Sequence, residues 1–383
     1  MILLIIYKGR STLPATISFP PHFSIHLLQS PYLPTRIRLK SRKFCQLSSF
    51  VLISGIAFIM SSSRAQAKST STSSRTFKPK ASEVAHETKK SIIPRIQTHY
   101  ADKWGTWSYY FQDPLAQVSV EPDPHANPTN FSVYVDDPVN YALHWLSHSE
   151  PGAPVAFICA ANEKRPGGDW VTGVVGYEER LCRRSTLSAT LSTAGPGSHM
   201  KDAYPISSVG GIFSPQVDRS EPLMEEQWQD IPVCSVPPVR WPKVNMTSGV
   251  LQYSFADERD LMREKITGAL AICYSRGITN IVGTLKPAKI VVGDFGLGNG
   301  HRNPPSEVAQ LWWEVTSSGP LQGRIHNIAF IFEDARQSTR SLILEDLAKK
   351  HRKNGGIIPL ALANALREPP VSDYDEFLNM FGH

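Results

Sequence analysis

The stretch PGGDWVTGVVGYEERLCRRSTL, residues 166–187, sets a glycine pair, two adjacent glutamates and a basic cluster close together. A carboxyl group beside a flexible glycine loop suits general-acid work on a glycosidic bond when burial raises its pKa. Adjacent helical residues point about 100° apart. Glu178 and Glu179 therefore cannot both face one atom; one can enter a cleft while the other orients substrate or caps backbone amides. Two glutamates at a helix start are also ordinary partners of the helix dipole, and Arg183 and Arg184 can pair with them.

A second glycine-rich run, GDFGLGNG at 293–300, follows an apolar run. Its glycines let successive backbone N–H groups converge on an anion, and a following helix adds its N-terminal partial charge. A tight turn with no ligand is the competing reading. The dinucleotide fingerprint G-x-G-x-x-G needs its third glycine one position later and an acid on the next strand, so a nicotinamide-binding domain is not indicated. No G-x-S-x-G elbow, phosphate-loop motif or kinase set occurs. His144 and His148 have metal-ligand spacing, but Trp145 stands where H-E-x-x-H needs its Glu, which favours a surface helix face.

The elements that must carry these residues alternate. SEVAHETKKSIIPRI reads as a helix with Ser82 as N-cap. DDPVNYALHWLSHS reads as a helix opened by Asp137-Pro138, and APVAFICAA as a buried strand feeding the first glycine loop. GIFSPQV and IPVCSVPPV read as short strands. ERDLMREKITGALAICYSRGI is an amphipathic helix ending at Gly277. AKIVV is a strand into the second glycine loop, SEVAQLWWEVTS a helix, RIHNIAFIFED a buried strand and SLILEDLAKKHR a helix. Alternation of this kind predicts α/β layering with a sheet covered on both faces, and ligands at strand ends. TLKPAK, between IVG and IVVG, is either a surface hairpin or a segment foreign to the mature chain.

The 383 residues are 41% hydrophobic, enough for a sizeable core, with a formal charge of +6. That charge is unevenly placed. No acid precedes Glu83, while twelve cations do, so the remainder carries a net charge of about −6. An acidic body argues against a broad nucleic-acid-binding face. Five widely spaced cysteines without a C-x-x-C pair fit a reducing compartment. Residues 1–82 read as a disordered basic leader. Its apolar run FVLISGIAFIM is too short to span a bilayer. The leader fits either mitochondrial import or a start at Met60, and the expected location is cytoplasmic or nuclear, with mitochondria as the alternative. The sequons at Asn130 and Asn245 are the check, since glycan on either would contradict that location.

The first motif resembles the signature of the microbial-type poly(ADP-ribose) glycohydrolases: P-G-G-G, a spacer, Q-E-E, then a stretch like S-L-C-R-R-S-T-L. VVGDFGLGNGHRNPPSEVA is similar to that family's second glycine loop, and EVAHET to its opening helix; the likeness runs from about Glu83 to about Asp334. It implies a macrodomain-like three-layer α/β/α domain with a mixed central sheet over 83–366, followed by a tail at 367–383. It implies a monomer that binds ADP-ribose or poly(ADP-ribose) on modified proteins and cuts the ribose–ribose O-glycosidic bond without metal or cofactor. Glu179 falls on the family's general acid and Glu178 on the residue that holds ribose hydroxyls. Gly167 and Gly168 would approach the distal ribose and diphosphate. Gly293, Phe295, Gly296, Leu297 and Gly298 would form the diphosphate loop, with Asn162, Asn299 and Gly300 completing the contacts. The chain departs from the pattern at Asp169 (a third glycine), at Tyr177 (the Gln of Q-E-E), at Cys159 (an Asn) and at Gly300 or His301 (an aromatic). Asp169 would place a negative charge against the ligand. The alternative is therefore a non-catalytic ADP-ribose reader.

Overall fold

The computed structural model describes residues 79–148, 155–198, 201–219, 227–278 and 289–382, all within one compact unit, Ser74–His383. The expectations for the leader up to residue 78 and for 283–288 lie outside the described residues.

The chain opens with α1 (Ala81–Glu87), which widens into a π-turn at Thr88–Ile92 before α2 (Ile93–His99). Pro94 has no amide for the carbonyl one turn earlier, and the helix widens just ahead of it. Lys80, not Ser82, is the N-cap, because Glu83 reaches back to accept the Lys80 N–H at 2.9 Å. β1 (Tyr109–Phe111), α3 (Pro114–Gln117) and β2 (Asn130–Val135) follow. β2 begins within a segment whose prolines disguise a strand. α4 (Pro138–His148) starts where expected: Asp137 accepts the amides of Val139 and Asn140 at 2.9 and 3.0 Å, the arrangement an Asx-Pro cap provides. β3 (Val155–Ala160) leads to α5 (Tyr177–Arg183) and α6 (Leu187–Leu191). β4 (Gly211–Arg219) and β5 (Gln229–Val236) form a long antiparallel pair, and β6 (Val244–Thr247) and β7 (Val250–Tyr253) a separate hairpin. Then come α7 (Ala256–Ser275), β8 (Lys289–Val292), α8 (Gly298–His301), α9 (Pro305–Ser317), β9 (Asn327–Phe332), α10 (Thr339–Lys353), α11 (Leu360–Ala365) and α12 (Asp373–Phe381).

The seven-stranded sheet runs β1-β4-β5-β3-β8-β9-β2, with β5, β3, β8, β9 and β2 parallel, β4 antiparallel to β5 and β1 antiparallel to β4. Side chains alternate across it. Ala156 and Ile158 of β3 and Ile328, Phe330 and Phe332 of β9 face α7, α9 and α12. Val155, Phe157, Cys159, Ala329 and Ile331 face α4, α5 and α6. This is the mixed three-layer α/β/α architecture. Strands buried on both faces read as continuous apolar runs, which is why β3, β8 and β9 were visible in the sequence.

The stretch expected as a tail from residue 367 corrects that reading, since α12 belongs to the core. Phe377 and Phe381 are buried, with ring centroids 4.9 and 5.1 Å from Phe330. Truncating Phe330 to Ala would cost roughly 3–5 kcal/mol.

Chain direction then selects the site. From the end of β3 the chain turns to α5 on one face of the sheet, while from the neighbouring β8 it turns to α9 on the other. The crevice between two parallel strands whose connections diverge is where ligands bind in such sheets.

Candidate active site

At that crevice lies a cleft of about 690 Å³, bounded by residues following β3, β5, β8 and β9 together with the start of α5. Its first wall is the 166–176 loop. Gly167 and Gly168 both adopt left-handed φ, +68° and +58°, a region closed to most side chains. The rest of the loop is pinned from α5. Arg183 donates to the carbonyls of Trp170 and Val174 at 3.2 and 3.1 Å. The buried Thr88 hydroxyl holds the Arg183 carbonyl, so the opening helix serves to fix α5. Arg184 pairs with Asp137 at 3.1 Å. Arg183 thus braces the loop, while Arg184 ties α5 to the start of α4.

The glutamates are unequal. Glu178 is 3% exposed and accepts the Asn162 amide at 2.7 Å through Oε2, while Oε1 has no protein partner. Burial pushes its carboxyl up to about 8, opposed by the Asn162 amide and reinforced by the neighbouring Glu179. Glu179 is part-exposed in the cleft wall. Its carboxylate occupies space that two glycines leave empty. A Cβ on Gly168 would lie 2.6 Å from Oε1, and one on Gly176 would overlap Oε2. No side-chain hydrogen bond engages Glu179 among the described residues, so its carboxylate is available to a ligand.

The second wall is the loop after β8. Gly296 and Gly298 have φ of +80° and +70°. Buried Asn303 donates to the carbonyls of Gly296 and Val239 at 2.6 and 2.8 Å and accepts from the Tyr253 hydroxyl at 2.8 Å. The Gly298 amide donates to Thr339 Oγ1 at 2.6 Å. Asp294 lies in the loop with its carboxyl raised by burial, which the charge of Arg180 and a hydrogen bond from Gln337 oppose. His301 is pushed down to about 4 by burial and by Arg240, so its ring is neutral at physiological pH.

The cleft brings together Asn162, Tyr177, Glu178, Glu179, Leu297, Gly298, Asn299 and Gly300. Gly167, Gly168, Gly293 and Gly296 stand behind its surface as backbone supports. Phe295 does not present its ring to the cleft; it is 2% exposed and packs edge-on against Trp312, at 5.8 Å between centroids. Asp169 pairs with Arg165 at 2.7 Å on the loop's exposed side and lies outside the cleft lining. Tyr177 turns its phenol to the start of α4, 3.3 Å from the Val139 amide, and its ring to Phe157. Cys159 is fully buried, with burial pushing its thiol up. Sequence reasoning missed Gly176, Asp294, Arg240 and the bidentate Arg180–Glu333 pair, all in the cleft wall. Gly176 had a signal, a further glycine directly before the glutamate helix. The others had none, because their partners are distant in sequence.

The cleft thus sets a glycine-supported glutamate opposite a glycine loop. Residues 64–219 match the family model of the microbial-type poly(ADP-ribose) glycohydrolase catalytic domain. The match falls on the part of the chain whose first motif resembles that family. The matched region holds the first glycine loop and both glutamates; the second loop lies beyond it. No curated protein matches the chain. Among solved structures, the fold is similar to poly(ADP-ribose) glycohydrolase from Thermomonospora curvata, with a TM-score of 0.51 and 18% identity over 79% of this chain and 99% of that one. A glutamate-to-alanine mutant of that enzyme gives 0.51 and 17% over the same shares. The enzyme from Deinococcus radiodurans in complex with ADP-ribose gives 0.41 and 18%, over 59% and 88%. Among the described residues no helix is long and apolar enough to cross a membrane.

Proposed function

We propose that the protein binds ADP-ribose units between its two glycine loops and hydrolyses an O-glycosidic ribose–ribose linkage of poly(ADP-ribose), or a related ADP-ribosyl linkage, with Glu179 as general acid. The observation that carries this is the Glu179 carboxylate, unpartnered in the cleft and seated where Gly168 and Gly176 leave room for nothing larger. Glu179 gives its proton to the departing ribose oxygen as the anomeric C–O bond breaks. Water then adds to the oxocarbenium-like carbon and returns a proton. Glu178, its Oε2 held by the Asn162 amide, orients a ribose hydroxyl from the cleft wall. The second loop receives the diphosphate on backbone amides, with the Arg240 guanidinium at its rim. Its chemistry suits an acidic body that has few lysines to spare for phosphate.

The reader alternative rested on Asp169 and Tyr177. Asp169 is turned toward Arg165 and Tyr177 toward α4, so neither blocks the ligand, and the enzyme reading is the better supported.

The test is ADP-ribose release from poly(ADP-ribose) and from mono-ADP-ribosylated protein by wild type and Glu179→Gln. Turnover should fall by about 10³-fold in the variant with calorimetric affinity retained. Equal turnover by the two proteins would remove Glu179 from the chemistry.

A further inference from the structure

Asp373 is the first residue of the last helix, far in sequence from either motif, and it is completely buried (0% exposed). A carboxylate is not placed in an interior without partners, and here three donors converge on it. The Thr339 amide reaches Oδ1 at 2.8 Å. The Thr339 hydroxyl reaches Oδ2 at 2.6 Å and Gln337 Nε2 reaches it at 3.0 Å. Burial raises this carboxyl to about 6 while those hydrogen bonds restrain it, so at neutral pH it accepts only.

That has a directional consequence. A hydroxyl carries one proton, and the Thr339 proton is committed to Asp373. Its lone pairs are left for the Gly298 amide, which donates to it at 2.6 Å. Gln337 is oriented by the same carboxylate and lines the cleft, 3.2 Å from where a Gly298 Cβ would stand. The loop reading 296–298 is thus tied to α12 by a polar chain, Gly298 to Thr339 to Asp373, in addition to the apolar packing of Phe377 and Phe381.

We propose that Asp373 is a positioning residue for ligand binding: through the Thr339 hydroxyl it sets the direction of the Gly298 amide, and through Gln337 the adjoining cleft wall. This rests on the reading of the second glycine loop as a diphosphate cradle. It makes the C-terminal helix part of the binding machinery, a role that no motif at the loop announces.

An Asn at 373 distinguishes positioning from packing, since it keeps the volume. With its oxygen facing the Thr339 amide, its NH₂ would meet the Thr339 hydroxyl, which must turn its proton toward Gly298, donor against donor. In the full chain, Asp373→Asn and Thr339→Val should weaken ADP-ribose binding by about tenfold, the worth of one disrupted hydrogen bond. KM should rise with kcat little changed, because Glu179 is untouched. Thr339→Ser, which keeps the hydroxyl, should restore affinity. Asp375→Asn perturbs only the Ser372 cap of the same helix. It should lower melting temperature without changing affinity. Amide hydrogen exchange at Gly298, read without ligand, separates the two layers of the argument. Faster exchange in Asp373→Asn with no ADP-ribose binding by wild type would uphold the positioning and sink the cradle. Unchanged Gly298 exchange, or unchanged affinity in a wild type that does bind, would overturn the positioning.

Discussion

The two glycine loops face one cleft but are held by different means. The 166–176 loop is fixed locally, by Arg183 of the helix that follows it, and the glycines there make room for a carboxylate. The 293–300 loop is fixed from a distance, by Asn303, Tyr253, Thr339 and, beyond Thr339, Asp373. In the proposed function one loop shapes the reactive group and the other aims backbone amides. Damage to the first should therefore appear in turnover, and damage to the second in affinity and stability.

The Glu179→Gln loss is the largest effect this division expects. Next is Gly176→Ala. Gly176 has φ −131° and ψ 159°, which alanine adopts without strain, so the fold should be unharmed. The new methyl group must instead displace the end of the Glu179 side chain. Turnover should fall by about 10²-fold with melting temperature and ADP-ribose affinity near wild type, as measured by initial rates, thermal denaturation and calorimetry. A loss of affinity as large as the loss of rate would break the division between the loops.

Asn303→Ala tests the other side. It strips partners from the Val239 carbonyl and the Tyr253 hydroxyl and leaves the Gly296 carbonyl only the residue-303 backbone amide, and should cost about 3 kcal/mol in denaturant unfolding. Affinity should drop while kcat for the bound substrate stays close to wild type.

Glu178 should show itself in the pH dependence of stability. Its folded-state carboxyl sits near 8 against 4.5 in the unfolded chain, so the folded state holds the extra proton between these values. Wild-type stability should then decline as pH rises through that window, being fully present below it. Glu178→Gln lacks the titration. Its unfolding free energy should gain on wild type by on the order of a few kcal/mol between pH 5 and pH 8. Parallel pH profiles would mean that Glu178 is ionised in the fold. The smallest effect belongs to Asp169→Gly, where an exposed pair with Arg165 is lost. Affinity should change by less than about threefold, and a large gain would show that the charge does reach the ligand.

Much of this was legible beforehand because the information is local. Glu178, Glu179 and the glycine pair sit within one short motif, and the family match ending at residue 219 rests on that same part of the chain. The strands β3, β8 and β9 were readable because a sheet buried on both faces is apolar at every position. β2 was hidden by the proline-rich stretch that runs into it. α12 escaped notice because acidic and aromatic residues at a chain end resemble a tail until Phe330 is there to receive Phe377 and Phe381.

The sequence by itself determined the α/β layering, the two glycine loops and the glutamate pair, since periodicity and motif spacing are properties of neighbours along the chain. It left open how differently the two glutamates are buried, where Asp169 and Tyr177 point, and what steadies the second loop. Only the tertiary structure decided these. Burial separates Glu178 from Glu179, two glycines eight residues apart (Gly168 and Gly176) shape one slot, and a carboxylate in the last helix reaches Gly298 through a threonine hydroxyl, contacts that exist only once distant segments share one end of the sheet.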